Sequence, residues 1–220
     1  ACQNADLVVA SHHYLYPLIR SVWTGLLWYE AHNLEVEMKA AVLAPALEKG
    51  RHSARRALER VEVIERACAR DASRVLAVSS GEREALIDRY GVAPEKVVLV
   101  PNGVDTHAIP FTDHVQREVN QALYGLDDRC IALFIASWHG PNVEAARHII
   151  AMAPSCPGVD FLLMGDVCNA PIGSLPDNCY CLGNVKEAEK RRWLAVAHCA
   201  LNPITRGAGS NLKLVEYGAA

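Results

Sequence analysis

The chain alternates short apolar runs with longer segments of helical spacing, and it does so twice, on either side of Pro101-Asn102-Gly103. Each apolar run has the length of a strand and leads into a loop that contains polar residues or glycine. Continuous apolar runs are typical of parallel strands that are covered on both faces. Single helices between such strands imply right-handed crossovers. The sequence therefore predicts an α/β protein with two parallel sheets.

We predict eight strands from these runs. They lie at residues 6–11, 26–31, 74–79, 96–100, 131–137, 159–164, 178–182 and 199–201. Helices are predicted at 34–48, 51–72, 82–90, 142–153 and 187–197, and from about Asn211 onward. Ser80 is the predicted N-cap of the helix at 82–90, which Gly91 ends, and Asn142 is the predicted cap of the helix that it begins.

The segment that follows Pro101-Asn102-Gly103 divides the chain. Residues 105–128 lose the apolar period and contain Pro110 and several charges, which is typical of a connection with at most one short helix. We therefore predict that residues 1–104 are part of one Rossmann-like domain, 105–128 a linker region, and 129–220 part of a second one. The sequence starts one step before a strand and ends inside a helix, so we expect both domains to be incomplete.

Composition restricts the class of protein. A hydrophobic fraction of 51% with 21% charged residues is that of a soluble globular protein. A formal charge of -3 argues against a nucleic-acid partner. Most of the eight cysteines lie in or beside apolar runs, which favours free thiols in a reducing cytosol. We expect a cytoplasmic protein. The arginines of the helix predicted at 51–72 are expected to form a solvated helix face, and the alternative is a peripheral membrane contact through missing or basic helical parts.

Polar residues follow the first two predicted strands. His12-His13-Tyr14 comes after the first, and His32-Asn33 after the second. Ligands of open α/β sheets bind at the carboxyl ends of the strands. We expect these residues to line a cleft, and the alternative is that they are ordinary polar loop residues.

The stretch 202–220 has the design of an anion site, because a two-glycine loop connects a strand end to an amphipathic helical run. Glycines allow close approach of the backbone, and the first N–H groups of a helix from about Asn211 can point at a phosphate. Lys213 adds a positive charge, and Glu216, one turn further on, can accept hydrogen bonds from sugar hydroxyls. The alternative is an ordinary glycine-rich turn between a strand and a helix.

Five motifs, taken in order, resemble those of the retaining GT-B glycosyltransferases of family 4, the glycosyl transferases group 1. They are Tyr29-Glu30-Ala31-His32-Asn33, Ala77-Val78-Ser79, Val100-Pro101-Asn102-Gly103-Val104-Asp105, Leu133-Phe134-Ile135-Ala136-Ser137-Trp138 and Gly209-Ser210-Asn211-Leu212-Lys213-Leu214-Val215-Glu216-Tyr217. The resemblance implies two facing Rossmann-like domains, an acceptor domain first and a nucleotide-sugar-binding domain second.

The resemblance also implies a hexosyltransferase that moves a sugar from a nucleotide-diphosphate sugar to an acceptor with retention of anomeric configuration. The acceptor would be a sugar, a lipid-linked molecule or another small molecule, with no metal and no further cofactor. His32 would lie near the transferred sugar, and Lys213 would contact the leaving diphosphate. The donor-binding residues would be Arg206, Gly209, Ser210, Asn211, Leu212 and Glu216, with Gly183 and Val185 near the base.

The sequence departs from the family pattern at two places. Ala208 stands where the family has a sugar-binding glutamate, and the loop 137–142 lacks the usual cations, for which Lys213 and Arg206 are the available substitutes. Two alternatives therefore stay open, a non-catalytic nucleotide-sugar-binding module and a GT-B sugar-nucleotide epimerase. We expect the 220-residue chain by itself to have exposed sheet edges and little or no activity.

Overall fold

The computed structural model describes residues 4–126, 129–204 and 212–220, and it shows an α/β protein. The chain divides into two compact units at the bond between Asn102 and Gly103. The described residues of each unit contain one four-stranded sheet, and every strand pair in both sheets is parallel. The predicted fold class is confirmed.

The first sheet follows the order of the sequence. Its strands are β1 (Leu7–Ala10), β2 (Leu26–Ala31), β3 (Arg74–Ala77) and β4 (Val97–Leu99), in the order β1-β2-β3-β4. The helices of this unit are α1 (Tyr16–Val22), α2 (Glu35–Glu48), α3 (His52–Asp71) and α4 (Ser80–Tyr90). In the register, Ala10 lies opposite Tyr29 and Ala31 opposite Ala77. The carboxyl ends of β1, β2 and β3 therefore form one edge.

The core of the first unit joins this sheet to its helices. Leu27 and Tyr29 of β2 are buried together with Leu86 and Tyr90 of α4 and Cys68 of α3. Within β2 the side chains of Leu27, Tyr29 and Ala31 are buried, whereas Leu26 at its start is exposed. This packing fixes the loop that leaves the carboxyl end of β2.

Helix α4 begins at Ser80, two residues earlier than predicted, and Ser79 rather than Ser80 is its N-cap. The Ser79 hydroxyl oxygen accepts a hydrogen bond from the Glu82 backbone N–H at 3.2 Å, and the hydroxyl donates to the Glu82 carboxylate at 3.2 Å. This Ser-x-x-Glu arrangement is a form of capping box. Gly91 ends the helix with a left-handed φ of 62°, as predicted.

Replacing Ser79 with alanine is expected to lower the free energy of unfolding by about 1 kcal/mol, because the Glu82 N–H loses its acceptor. Urea unfolding followed by circular dichroism measures the change. The matched control is Ser80→Ala, which removes an exposed hydroxyl one residue later. Equal stability of the two variants would contradict the assignment of the cap to Ser79.

In the second sheet, the strand that comes first in the sequence lies between two others. Its strands are β5 (Cys130–Ile135), β6 (Val159–Met164), β7 (Cys179–Gly183) and β8 (Cys199–Ala200), in the order β7-β6-β5-β8. The helices of this unit are α5 (His114–Leu123), α6 (Gly140–Met152), α7 (Glu187–Val196) and α8 (Leu212–Ala219). Phe134 and Leu163, from β5 and β6, are fully buried. All predicted strands are confirmed to within a few residues.

The predicted cap of α6 is wrong. The helix begins at Gly140, and the residue before it, His139, makes no side-chain cap. Pro141 occupies the first turn, where its missing N–H costs nothing. The Asn142 amide instead donates to the Ser137 carbonyl at 3.0 Å. Asn142 therefore ties the first turn of α6 back to the loop that follows β5.

Two further properties concern the whole described part of the chain. None of its helices is long and apolar enough to cross a membrane. The seven cysteines that it contains are free thiols, as predicted.

Candidate active site

Three side chains of α8 connect this helix to the rest of the second unit. Lys213 bonds to α6, Glu216 bonds to α7, and the Tyr217 hydroxyl accepts the backbone N–H of Ile135 at 2.9 Å. Ile135 is the last residue of β5. Helix α8 is therefore fixed at the carboxyl end of the sheet, where α/β proteins bind their ligands.

Lys213 is a half-buried cation whose hydrogen-bond acceptor is neutral. Its Nζ donates to Oδ1 of Asn142 at 3.0 Å and lies 4.9 Å from the centre of the Phe134 ring. Burial lowers the pKa of Lys213, because the charged form loses hydration. Among the described residues, no carboxylate forms a salt bridge with it. The amine thus lies against the first turn of α6 and the Phe134 ring of β5, and no described carboxylate pairs with it.

Glu216 is held by a partly buried lysine. Lys190 of α7 donates from Nζ to Oε1 of Glu216 at 2.9 Å and lies 3.0 Å from Oε1 of Glu187. Glu216 and Lys213 are three residues apart on α8 and therefore lie on neighbouring turns of one face. Sequence reasoning missed Lys190, since a lysine in a charged helix is usually solvated.

Gly183 and Val185, predicted to lie near the base, are at the carboxyl end of β7. The Gly183 carbonyl accepts the Gly165 N–H at 2.7 Å, so the ends of β6 and β7 are joined. Val185 is partly buried against a cluster of the second unit that includes Met164. Gly183 has a φ of 68°, a conformation that favours glycine.

Gly165 has no room for a side chain, because the Ala136 backbone lies close to it. Replacing Gly165 with alanine is expected to lower the free energy of unfolding by about 1–3 kcal/mol. Its φ is 100°, and a Cβ there would lie 2.4 Å from the Ala136 carbonyl oxygen. The loss is measured by urea unfolding. Gly158→Ala is the matched control, because a Cβ at Gly158 meets open space. A Gly165→Ala variant as stable as this control would contradict the predicted clash.

Several predicted donor-binding residues lie outside the described residues. They are Arg206, Gly209, Ser210 and Asn211, and Ala208 is outside as well. Leu212 begins α8, and its side chain is exposed. The structure thus brings Lys213 and Glu216 together on α8, with Gly183 and Val185 at the end of another strand of the same sheet.

His32 lies in the first unit, directly after β2. Its Nε2 is 3.6 Å from Oε2 of Glu30, a carboxylate oxygen that also accepts the Ser11 hydroxyl at 2.7 Å. The His32 ring centre is 5.0 Å from that of His12, and the His12 ring stacks on Tyr14 at 4.8 Å. The side chains that follow β1 and β2 therefore meet at the carboxyl edge, as predicted.

His13 is buried, unlike the adjacent His12. It is 2% exposed, burial lowers its pKa, and its Nδ1 has no hydrogen-bond partner among the described residues. Glu82 is also buried, and burial raises the pKa of its carboxyl group. Of the two adjacent histidines, only His12 contacts the His32 ring.

The loop that carries His32 is anchored by a buried carboxylate. Glu65 of α3 is 0% exposed and accepts the backbone N–H groups of Glu35 at 2.8 Å and Val36 at 3.0 Å, the first two residues of α2. It also accepts hydrogen bonds from the hydroxyls of Tyr29 at 3.2 Å and Tyr90 at 2.6 Å. A carboxylate at a helix N-terminus supplies the acceptors that the first N–H groups lack.

A family model matches the part of the chain that contains the first three of the five motifs. Residues 3–108, just under half of the chain, match the model described as Glycosyltransferase Family 4. A comparison with curated protein sequences gave no significant match. The described residues hold no cluster of three or more His, Cys, Asp or Glu side chains suited to a metal ion.

Solved glycosyltransferase structures share the GT-B fold of this chain. Anabaena HepE in complex with UDP and glucose superposes with a TM-score of 0.66 at 16% identity, covering 98% of this chain and 57% of that one. A glycosyltransferase from Rickettsia africae gives 0.65 at 13% identity, with 98% and 56% covered. A trehalose 6-phosphate synthase from Burkholderia multivorans gives 0.55 at 14%, with 97% and 53% covered. The chain thus spans less than three fifths of each structure.

Proposed function

We propose that the protein is a glycosyltransferase that moves a sugar from a nucleotide-diphosphate sugar to an acceptor. The observation that carries the proposal is Lys213, a half-buried amine near the start of α8 with a neutral partner, Asn142, and a pKa lowered by burial. A desolvated cation beside helix N–H groups attracts an anion strongly. A diphosphate supplies that anion.

The similar structures support this choice of donor. HepE holds UDP and glucose in one structure and UDP-glucose in another. We infer by analogy that the donor of this protein is a nucleoside-diphosphate hexose. The nucleobase is proposed to contact the backbone around Gly183 and the side chain of Val185. Neither residue has a side-chain group that would select one base.

The proposed transfer retains the anomeric configuration. The bond between the anomeric carbon and the diphosphate oxygen breaks, and the acceptor oxygen forms its bond to the same face of that carbon. The acceptor hydroxyl gives its proton to the departing phosphate oxygen, so no protein nucleophile is needed. Lys213 donates to the leaving diphosphate as its charge develops, which is the stage at which such a contact lowers the barrier.

His32 is proposed to contact the transferred sugar. Its Nε2 lies 3.6 Å from the Glu30 carboxylate, which favours the tautomer with a proton on that nitrogen. His32 then keeps Nδ1 as an acceptor for a sugar hydroxyl. The acceptor is proposed to be a sugar, a lipid-linked molecule or another small molecule.

A donor panel tests the proposal. Calorimetry with UDP, GDP and ADP on the 220-residue chain is expected to show binding of at least one, and the full-length protein is expected to transfer sugar from the matching donor. Proton NMR of the product then gives its anomeric configuration. Inversion would contradict the retaining course, and release of epimerised donor without transfer would favour the epimerase. Binding without any turnover would favour a binding module, and no binding would overturn the proposal.

A further inference from the structure

Lys190 is the least exposed cation with a carboxylate partner in the described part of the second unit. Its side chain is 17% exposed, whereas those of Glu216 and Glu187 are 30% and 59% exposed. Burial by itself lowers the pKa of Lys190, but the hydrogen bonds to Glu216 and Glu187 outweigh it, so the pKa is raised. Lys190 is thus charged at neutral pH and tied to Glu216.

The hydrogen bond from Lys190 holds one carboxylate oxygen of Glu216 and leaves the other oxygen available as an acceptor. Oε1 accepts from Lys190 at 2.9 Å, and no described residue donates a hydrogen bond to Oε2. The backbone beneath Glu216 is held as well, because the next residue, Tyr217, is bonded through its hydroxyl to Ile135. The carboxylate therefore has a defined orientation and a free acceptor oxygen before any ligand binds.

We propose that Lys190 is the positioning residue for ribose recognition, and that it holds the Glu216 carboxylate in place to accept the two vicinal hydroxyls of the nucleotide. This inference rests on the proposed function, which supplies the nucleotide. A vicinal diol presents two donors a short distance apart, and a carboxylate has acceptor sites on both oxygens. Holding the side chain in its bound conformation removes part of the ordering cost of binding.

The ion pair has a second possible role, as a staple between α7 and α8 only. A staple affects stability, whereas a positioning residue affects how well the protein distinguishes ribose from deoxyribose. The two roles are therefore separated by a ratio of affinities, which a uniform loss of stability leaves unchanged.

The test compares UDP with 2′-deoxy-UDP by calorimetry, or the corresponding GDP or ADP pair if the donor panel selects that base. The wild type is expected to bind the ribonucleotide at least about tenfold more tightly, because the deoxy ligand donates one hydrogen bond fewer to the Glu216 carboxylate. Lys190→Met is expected to reduce this ratio by about threefold to tenfold. Lys190→Arg is expected to restore most of it.

Two measurements complete the design. Affinity for inorganic pyrophosphate is expected to stay within about twofold in Lys190→Met, since that contact belongs to Lys213. The matched control is Lys186→Met, which removes an exposed lysine just before α7 and is expected to keep the wild-type ratio. Thermal unfolding of each variant confirms that it is folded before its affinities are compared.

The outcomes distinguish this inference from the proposed function. An unchanged ratio in folded Lys190→Met overturns the positioning role, and a wild-type ratio near one shows that Glu216 does not read the ribose, which also overturns it. Both results leave nucleotide binding intact. Absence of any nucleoside diphosphate or pyrophosphate binding in the wild type overturns the proposed function itself.

Discussion

Replacing Lys213 with alanine is expected to lower the turnover of the full-length protein at least about a hundredfold, the effect typical of removing one preorganised contact to a developing charge. The amine is half-buried, its pKa is lowered by burial, and it donates a hydrogen bond to a neutral amide. Its charge is therefore available for the leaving diphosphate. Steady-state kinetics with the donor found by calorimetry measures the loss, which we expect mainly in kcat.

The control for this prediction is Lys186→Ala, an exposed lysine that is expected to keep wild-type turnover. Lys213→Met adds a second comparison, because it keeps an apolar side chain over Phe134 while removing the charge. We expect it to be as inactive as the alanine variant. Near wild-type turnover of either Lys213 variant would remove this residue from the proposed role.

Replacing Glu65 with alanine is expected to lower the free energy of unfolding by about 4 kcal/mol or more, because four buried donors lose their acceptor at once. These donors are the N–H groups of Glu35 and Val36 and the hydroxyls of Tyr29 and Tyr90. Since the whole stability of a typical domain is about 5–15 kcal/mol, the first unit would be close to unfolding. Urea unfolding followed by circular dichroism measures the change.

Glu65→Gln keeps the shape of the side chain but brings an amide that donates where the carboxylate accepted. We therefore expect it to fold with an intermediate loss of stability and with a less ordered His32 loop, seen as faster hydrogen exchange at Glu35 and Val36. Glu59→Ala on the same helix is the control, because Glu59 is exposed. A Glu65→Ala variant within about 1 kcal/mol of this control would contradict the anchoring role.

The sheets were predictable because their strands are encoded locally. A run such as Ile131 to Ile135 is apolar at consecutive positions and stops at a loop, and this pattern needs no knowledge of partners. The ends of helices were less predictable. Helix α1 was missed because Pro17, in its first turn, also fits a turn.

Helix α5 lies in the region 105–128, where the sequence pattern did not indicate a helix with an apolar face packed on a core. Val115, Val119 and Leu123 are exposed, while Arg117 and Gln121 face the domain and donate hydrogen bonds to backbone carbonyls of the segment 194–197. A helix that attaches through polar side chains gives the reverse of the usual pattern.

The candidate site was predictable only as far as its residues are neighbours in sequence. Lys213 and Glu216 were found because they share one helix face. The contacts that orient them, from Asn142 and Lys190, come from residues far away in the sequence and depend on the packing of α6 and α7 against α8. The Glu65 anchor was hidden for the same reason, as a glutamate in a charged helix resembles a solvated one.

The two strand orders have different consequences during synthesis on the ribosome. In the order β1-β2-β3-β4, each new strand pairs with the one made just before it, so the first sheet can grow as the chain emerges. In the order β7-β6-β5-β8, one edge of the central strand β5 waits for Cys199 and Ala200 while β6 and β7 are already present. An open apolar edge of this kind is where nascent chains associate. The β5 edge in the second unit therefore stays without its strand partner until Cys199 and Ala200 have been made.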